Sequence, residues 1–221
     1  VTVEPLPPDV PGRFLGKPVD EVVAQHVTAY LAFDLSGSMA DTPIAEAQKA
    51  ARVFLANTDL AHCSLGIIGF SDSVATKLQA SQDAGAVNRA ISELKVGETG
   101  YCNGTHPFDE LLRLMGNGDG PCFGIVLADG ALSNQPLAVQ RAKACMEQGI
   151  DIIAIGFGSA DQDFLKAIAS STEGSFFTSL DGLVQTFSNV AQILTESGGG
   201  ITTAPAQGER QYGMLDLFSR R

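Results

Sequence analysis

The sequence predicts an α/β fold: a Rossmann-like, open, mostly parallel sheet with one antiparallel edge strand and helices on both faces. Short, near-continuous apolar segments alternate along the chain with longer segments whose apolar residues recur at helical spacing. Strands that are apolar throughout are typical of a sheet covered on both faces. The chain has 221 residues, 44% of them hydrophobic, which is enough to bury the core of one domain.

The strands are predicted from short apolar segments, of which the segment at 73–79 alternates in polarity as an edge strand does. Two of them, the first and the fourth, end in an aspartate. In chain order the predicted strands are 28–34, 63–71, 73–79, 122–129, 150–158 and 174–179.

The helices are predicted from apolar stripes and from residues that suit helix ends. Pro43 fits the first turn of the first helix, and Gly149 closes the fourth. In the last helix Leu183, Phe187 and Leu194 share one stripe. In chain order the predicted helices are 42–57, 84–94, 107–115, 135–149, 161–170 and 181–197.

Composition changes at both ends of this alternating region. Residues 1–27 are Pro-rich and are predicted to form an N-terminal arm, and residues 28–196 form the domain. Residues 197–221 begin with a Gly-rich stretch typical of a flexible linker and end in a short apolar-basic tail. The tail contains the letters MLDLF, which resemble the pentapeptide by which bacterial proteins bind the DNA sliding clamp. Such short motifs often arise by chance, so the favoured interpretation is an ordinary tail that docks on a second protein or folds back on its own domain.

Charge and cysteine usage restrict the class of partner and the compartment. The net charge of -11 argues against binding to nucleic acid or to an anionic membrane surface. No apolar run approaches the roughly 20 residues of a membrane span. Cys63, Cys122 and Cys145 lie in or beside apolar segments, and no pair of cysteines has metal-binding spacing. Together with an N-terminal segment that lacks the pattern of a secretory signal, this favours a cytoplasmic protein.

The segment DLSGSM, at the end of the first predicted strand, holds the candidate site. Asp34, Ser36 and Ser38 offer three oxygen donors at alternate positions. Helix capping explains one such residue, whereas three in alternation favour a bound cation. Thr105, in a loop before a helix, and Asp129, at the end of another strand, add further oxygens. The carboxyl ends of parallel strands are where such sheets bind ligands.

These five residues, in this order, resemble the metal-ion-dependent adhesion site of von Willebrand factor A domains, over about residues 28–196. The resemblance implies a divalent cation, Mg²⁺ first and Mn²⁺ or Ca²⁺ as alternatives. It implies direct contacts from Ser36, Ser38 and Thr105, with Asp34 and Asp129 acting mostly through water. A Glu or Asp of a partner protein would fill the open position on the ion. Hydroxyl and carboxylate oxygens suit such hard ions.

Three positions depart from the pattern of the family. Cys102 and Asn103 stand where many relatives carry glycine, and Ala128 stands where Thr or Ser is common. None of these changes removes a predicted ligand.

The resemblance implies a non-enzymatic, metal-dependent adaptor that binds an acidic residue of another protein. Intracellular relatives act with AAA+ ATPases or in tellurite-resistance systems, so a prokaryotic multiprotein complex is the expected setting. The alternative is a metal-dependent hydrolase using the same Asp, Ser and Thr residues, for which His106 is the candidate base. Cys102 imitates a nucleophile elbow but lacks the preceding strand, and a surface thiol is the favoured interpretation. We expect Asp34→Ala to keep the fold, because the site is predicted at the surface rim.

Overall fold

The computed structural model describes residues 25–116, 118, 120–130 and 132–199. The N-terminal arm before residue 25 and the predicted linker and tail from residue 200 lie outside the described residues. The strands of the described region form one six-stranded sheet. They are β1 (Val27–Asp34), β2 (Cys63–Phe70), β3 (Val74–Ser81), β4 (Cys122–Ala128), β5 (Ile150–Gly156) and β6 (Ser175–Phe177).

The sheet has the strand order β3-β2-β1-β4-β5-β6. Every neighbouring pair is parallel except β2 and β3, which are antiparallel. The predicted fold class is therefore confirmed, including the antiparallel edge strand at one side. β1 lies at the centre of the sheet between β2 and β4, so its carboxyl end is flanked by the carboxyl ends of two parallel neighbours.

Six α-helices surround the sheet in the described region, each at a predicted place. They are α1 (Thr42–Ala56), α2 (Ala84–Ser92), α3 (Phe108–Met115), α4 (Gln135–Glu147), α5 (Gln162–Ile168) and α6 (Leu183–Gly199). Aspartate side chains cap two of the helices: Asp83 accepts hydrogen bonds from the first turn of α2, and Asp161 does so for α5. Helix α6 extends two residues past its predicted end, because Gly198 and Gly199 continue the helical backbone.

The core has two apolar layers, one on each face of the sheet. Helices α1, α2 and α6 pack on one face, where Phe187 stacks on Phe33 at 6.5 Å between ring centroids and meets Phe54 edge-on at 6.1 Å. Helices α3, α4 and α5 cover the other face. Successive residues of β1 alternate between the layers, which explains why the strand is apolar throughout. In the part of the chain that is described, no helix is long and apolar enough to cross a membrane.

Candidate metal centre

The sheet brings the two predicted aspartates to one edge. Asp34 is the last residue of β1, and Asp129 follows directly after β4. These strands are parallel neighbours in which Phe33 pairs with Leu127, so the two carboxylates emerge on adjacent strand ends. Sequence positions 95 residues apart thus meet because two parallel strands end at the same level.

A chain of hydrogen bonds joins four of the five predicted residues. The backbone N–H of Ser36 donates to Oδ1 of Asp34 at 2.8 Å. The hydroxyls of Ser36 and Ser38 lie 3.1 Å apart, and the Ser38 hydroxyl donates to Oδ1 of Asp129 at 2.8 Å. The two serines therefore bridge the two carboxylates. A serine hydroxyl that donates its proton to a carboxylate still has lone pairs with which to bind a cation.

Thr105 is placed near this chain through its loop. Its backbone N–H donates to the carbonyl oxygen of Ser71, which follows β2, at 2.8 Å, and its side chain is partly exposed. Among the hydrogen bonds of the described residues, none joins the Thr105 hydroxyl directly to the other four residues. The loop reaches them through Asn103, two positions earlier.

Asn103 is a site residue that the sequence analysis treated only as a departure from glycine. With its carboxamide oriented to suit the facing acceptors, its nitrogen donates to both oxygens of Asp34, at 3.0 and 3.1 Å. The same nitrogen lies 3.2 Å from the Ser36 hydroxyl oxygen. The signal available in the sequence was the position of this amide, two residues before the predicted ligand Thr105.

The loop that carries Asn103 and Thr105 is held by residues directly after β2. The buried Ser71 hydroxyl donates to the carbonyl oxygen of Gly100 at 3.0 Å and lies 2.8 Å from the Thr99 hydroxyl. Asp72 accepts hydrogen bonds from the backbone N–H groups of Tyr101 and Cys102, at 3.0 and 3.2 Å. The sequence analysis did not single out these residues, although two hydroxyls and a carboxylate at 71–73 repeat the chemistry that follows β1.

The site carries negative charge that the protein does not neutralise. Asp34 has no solvent exposure, and burial raises its pKa from 3.8 to about 6; hydrogen bonds from Ser36 and Asn103 oppose the shift, and the charge of Asp129 adds to it. Burial likewise raises the pKa of Asp129, against the hydrogen bond from Ser38. In the described region no Lys or Arg forms an ion pair with either carboxylate. A divalent cation would supply the missing positive charge.

The donor set fits a hard cation. It consists of carboxylate and hydroxyl oxygens, with no soft ligand in the hydrogen-bonded chain. No group of three or more His, Cys, Asp or Glu side chains capable of holding a metal occurs among the described residues. Two carboxylates alone do not complete the coordination of Mg²⁺, so the hydroxyls would be needed as further ligands.

The predicted position at the surface rim is wrong for three of the five residues, Asp34, Ser36 and Asp129, which are buried. Asp34 is 0% exposed and Ser36 is 2% exposed, because both lie beneath the loop that carries Asn103. Ser38 is exposed and Thr105 is partly exposed, so the site opens to solvent on their side. Truncating Asp34 to alanine would consequently leave buried donors unsatisfied, which the sequence analysis did not foresee.

His106 and Cys102, the residues considered for catalysis, lie in different surroundings. His106 is only 6% exposed, and its ring centroid lies 5.3 Å from that of Phe108. Its Nδ1 has no hydrogen-bond partner among the described residues. Burial lowers the pKa of His106. Cys102 is exposed in a loop that no strand directly precedes, which confirms the interpretation as a surface thiol.

The fold and the site define a von Willebrand factor A domain. The sequence model of the von Willebrand factor type A domain matches residues 30–192, and the chain belongs to this family. A search of curated proteins gave no match.

Solved structures of the same fold share little sequence with this chain. Proximal thread matrix protein 1 from the mussel byssus is 21% identical, with a TM-score of 0.66, over 78% of this chain and 47% of its own. A second structure of that protein, 20% identical with a TM-score of 0.66 over 77% of this chain and 46% of its own, has zinc in its adhesion-site motif. The corresponding domain of the pilus tip protein Mfa5 from Porphyromonas gingivalis is 12% identical, with a TM-score of 0.67, over 83% of this chain and 99% of its own. This chain therefore spans about half the length of the mussel protein.

Proposed function

We propose that this domain binds a divalent cation, Mg²⁺ in the first place, through Asp34, Ser36, Ser38, Thr105 and Asp129. The observation that carries the proposal is the pair of buried carboxylates, which two serine hydroxyls bridge and which, among the described residues, form no ion pair with Lys or Arg. When bound, the ion supplies a Lewis acid to which an incoming carboxylate can coordinate. The chain's own residues hold the two aspartates in place and leave the solvent-facing side open at Ser38.

The function that follows is a metal-dependent protein-interaction module whose partner supplies a Glu or Asp. Few charged groups contact the ion directly in such a site, so it stays attractive to an external carboxylate. Family membership supports an interaction role, and the mussel structure with zinc supports a divalent-cation site at this place in the fold. The buried position of His106 gives no support to a hydrolase, so a binding role is preferred over a catalytic one.

The proposed setting is a cytoplasmic prokaryotic complex, such as one associated with AAA+ ATPases or tellurite resistance. It is supported by Cys63, Cys122 and Cys145, which are buried thiols that donate to backbone carbonyl oxygens. The compared structures include a pilus tip protein and a pilus adhesin, so the setting needs its own test. Fractionation of the native host, with detection by antibody, would place the protein in one compartment.

The experiment that tests the binding proposal uses Mn²⁺ as a paramagnetic probe, after calorimetric titration with Mg²⁺, Mn²⁺ and Zn²⁺. Bound Mn²⁺ enhances the relaxation of water protons that exchange at its open position. Adding N-acetylglutamate amide should lower this enhancement, whereas N-acetylglutamine amide should not. Ser38→Ala should lose the bound ion, and Ser92→Ala, an exposed serine at the end of α2, is the matched control. Absence of ion binding at millimolar concentrations would refute the proposal.

A further inference from the structure

Few large apolar side chains are exposed on the described part of the domain, and Tyr101 is the most exposed of them. In the described region these are Tyr101, Leu137 and Phe177, which are 69%, 37% and 46% exposed. Tyr101 lies in the site loop, Leu137 in the first turn of the helix after β4, and Phe177 at the carboxyl end of β6. Tyr101 thus combines the largest exposure with a position in the site loop, which makes it a candidate contact for a partner.

Tyr101 is the member of this group that is attached to the metal-binding segment. Its carbonyl oxygen accepts a hydrogen bond from the N–H of Gly37, at 2.9 Å. Gly37 stands between Ser36 and Ser38, and a Cβ added there would lie 3.9 Å from Cδ1 of Tyr101. The ring of Tyr101 therefore lies beside the segment that carries the proposed metal ligands Ser36 and Ser38.

The backbone of Tyr101 is hydrogen-bonded, and its ring packs on a glycine. The N–H of Tyr101 donates to Asp72 at 3.0 Å, and the ring lies across Gly97, where an added Cβ would come within 2.3 Å of Cζ. Gly97 has a φ of 78°, which glycine adopts without strain. An exposed tyrosine packed on neighbouring backbone offers a large contact area at a small cost in conformational entropy, which is the property of residues that anchor partners.

Resting on the proposed function, we propose that Tyr101 selects the partner: it binds an apolar side chain one or two residues away from the carboxylate that reaches the metal. The occupant is a protein segment of the form acidic residue plus neighbouring aliphatic or aromatic residue. The carboxylate of Asp72 beside Tyr101 disfavours a second acidic residue at this place. The metal thus binds the carboxylate of the partner, and Tyr101 contacts the apolar residue near that carboxylate in the partner's sequence.

The test uses a phage-displayed library of random dodecapeptides, bound to the full chain in Mg²⁺ and released by EDTA. Peptides recovered on wild type should share an acidic residue with an apolar residue within two positions. Tyr101→Ser should bind a selected peptide at least about tenfold more weakly, the scale of an interface anchor, with unchanged affinity for Mg²⁺. Phe177→Ser, an exposed apolar residue at the far edge strand, is the matched control and should stay within about twofold of wild type, as a residue outside such an anchor does.

Fluorescence gives a second measurement, because the chain has no Trp and three Tyr residues. In the Tyr212→Phe chain the remaining tyrosines are Tyr30, 2% exposed, and Tyr101, 69% exposed. Acrylamide quenching of this variant therefore reports on Tyr101. A selected peptide should protect the ring in Mg²⁺ and not in EDTA.

The outcomes separate this inference from the proposed function. Wild type that binds Mg²⁺ and yields acidic peptides without an apolar neighbour would overturn the role of Tyr101 alone. Equal weakening by Tyr101→Ser and Phe177→Ser, or no protection from acrylamide, would also overturn it. A protein that binds no Mg²⁺, or a library without EDTA-released peptides, would remove the proposed function and this inference with it.

Discussion

Replacing Asp34 by asparagine should change stability in opposite directions with and without metal. Asp34 is fully buried, and its pKa is raised from 3.8 to about 6. The difference of about 2 pKa units, at 1.36 kcal/mol each, means that ionised Asp34 costs the metal-free fold about 3 kcal/mol at neutral pH. Asparagine removes this charge and keeps the oxygen that accepts from Ser36. However, the amide N–H₂ of the new asparagine would face the N–H₂ donor of Asn103, and the lost hydrogen bond reduces the gain in stability by about 1 kcal/mol.

The expected result without metal is a gain of about 2 kcal/mol for Asp34→Asn at pH 7.5, measured by chemical denaturation in EDTA. The sign follows from the raised pKa in the folded state. The folded protein binds the proton more tightly than the unfolded chain, so stability from this group is greatest below pH 4 and falls as pH rises towards 6. The advantage of Asp34→Asn should therefore disappear at pH 4.

With metal the order should reverse. Mg²⁺ at a hundred times its dissociation constant should stabilise wild type by about 2.7 kcal/mol and leave Asp34→Asn unchanged. If Asp34→Asn is less stable than wild type in EDTA at pH 7.5, the hydrogen bonds of Asp34 outweigh its desolvation, and the argument for a site poised for a cation fails.

Three further predictions concern the surroundings of Asp34. Thr105→Ala should weaken Mg²⁺ binding in calorimetry at least about tenfold, the scale of a lost ligand contact. Its stability in EDTA should stay within about 0.5 kcal/mol of wild type, because the Thr105 side chain is partly exposed. Mg²⁺ affinity of wild type should fall below about pH 6, because protons compete for a carboxylate whose pKa lies there; equal affinity at pH 5.0 and 7.5 would contradict this. Ser71→Ala should destabilise the domain by about 1–3 kcal/mol in urea, since it leaves the buried Thr99 hydroxyl without its partner. Ser92→Ala, an exposed serine at the end of α2, is the control.

The sheet and its helices could be predicted from the sequence because periodicity and burial act locally. Strand β1 is apolar at successive positions, which is the pattern of burial on both faces, and α6 carries its apolar residues at helical spacing. Parallel strands share a carboxyl edge, so the proximity of Asp34 and Asp129 followed from the fold class. The family resemblance then supplied the serines and the threonine as candidate ligands.

The loop around the site could not be predicted in the same way, because long-range hydrogen bonds determine it. The bonds of Ser71 and Asp72 to the segment at 99–102 join residues about 30 positions apart and have no periodic pattern. For the same reason Asp34 was predicted to lie at the surface, whereas the loop that carries Asn103 covers Asp34 and leaves it without solvent contact. The burial of His106 also depends on tertiary packing, and it could not be predicted when His106 was considered as a general base.

Asn103 shows what a departure from the family pattern does to this site. Its amide stabilises ionised Asp34 by two hydrogen bonds and lowers the pKa of Asp34 without adding a positive charge that would compete with a metal. We therefore expect Asn103→Ala to raise that pKa further and to weaken Mg²⁺ binding more at pH 6 than at pH 8, in titrations at both values. Asn103→Lys should weaken binding at both pH values and stabilise the metal-free protein, because a lysine ammonium would pair with the carboxylates. Equal losses for Asn103→Ala at pH 6 and pH 8 would show that Asn103 only shapes the loop and does not keep Asp34 ionised.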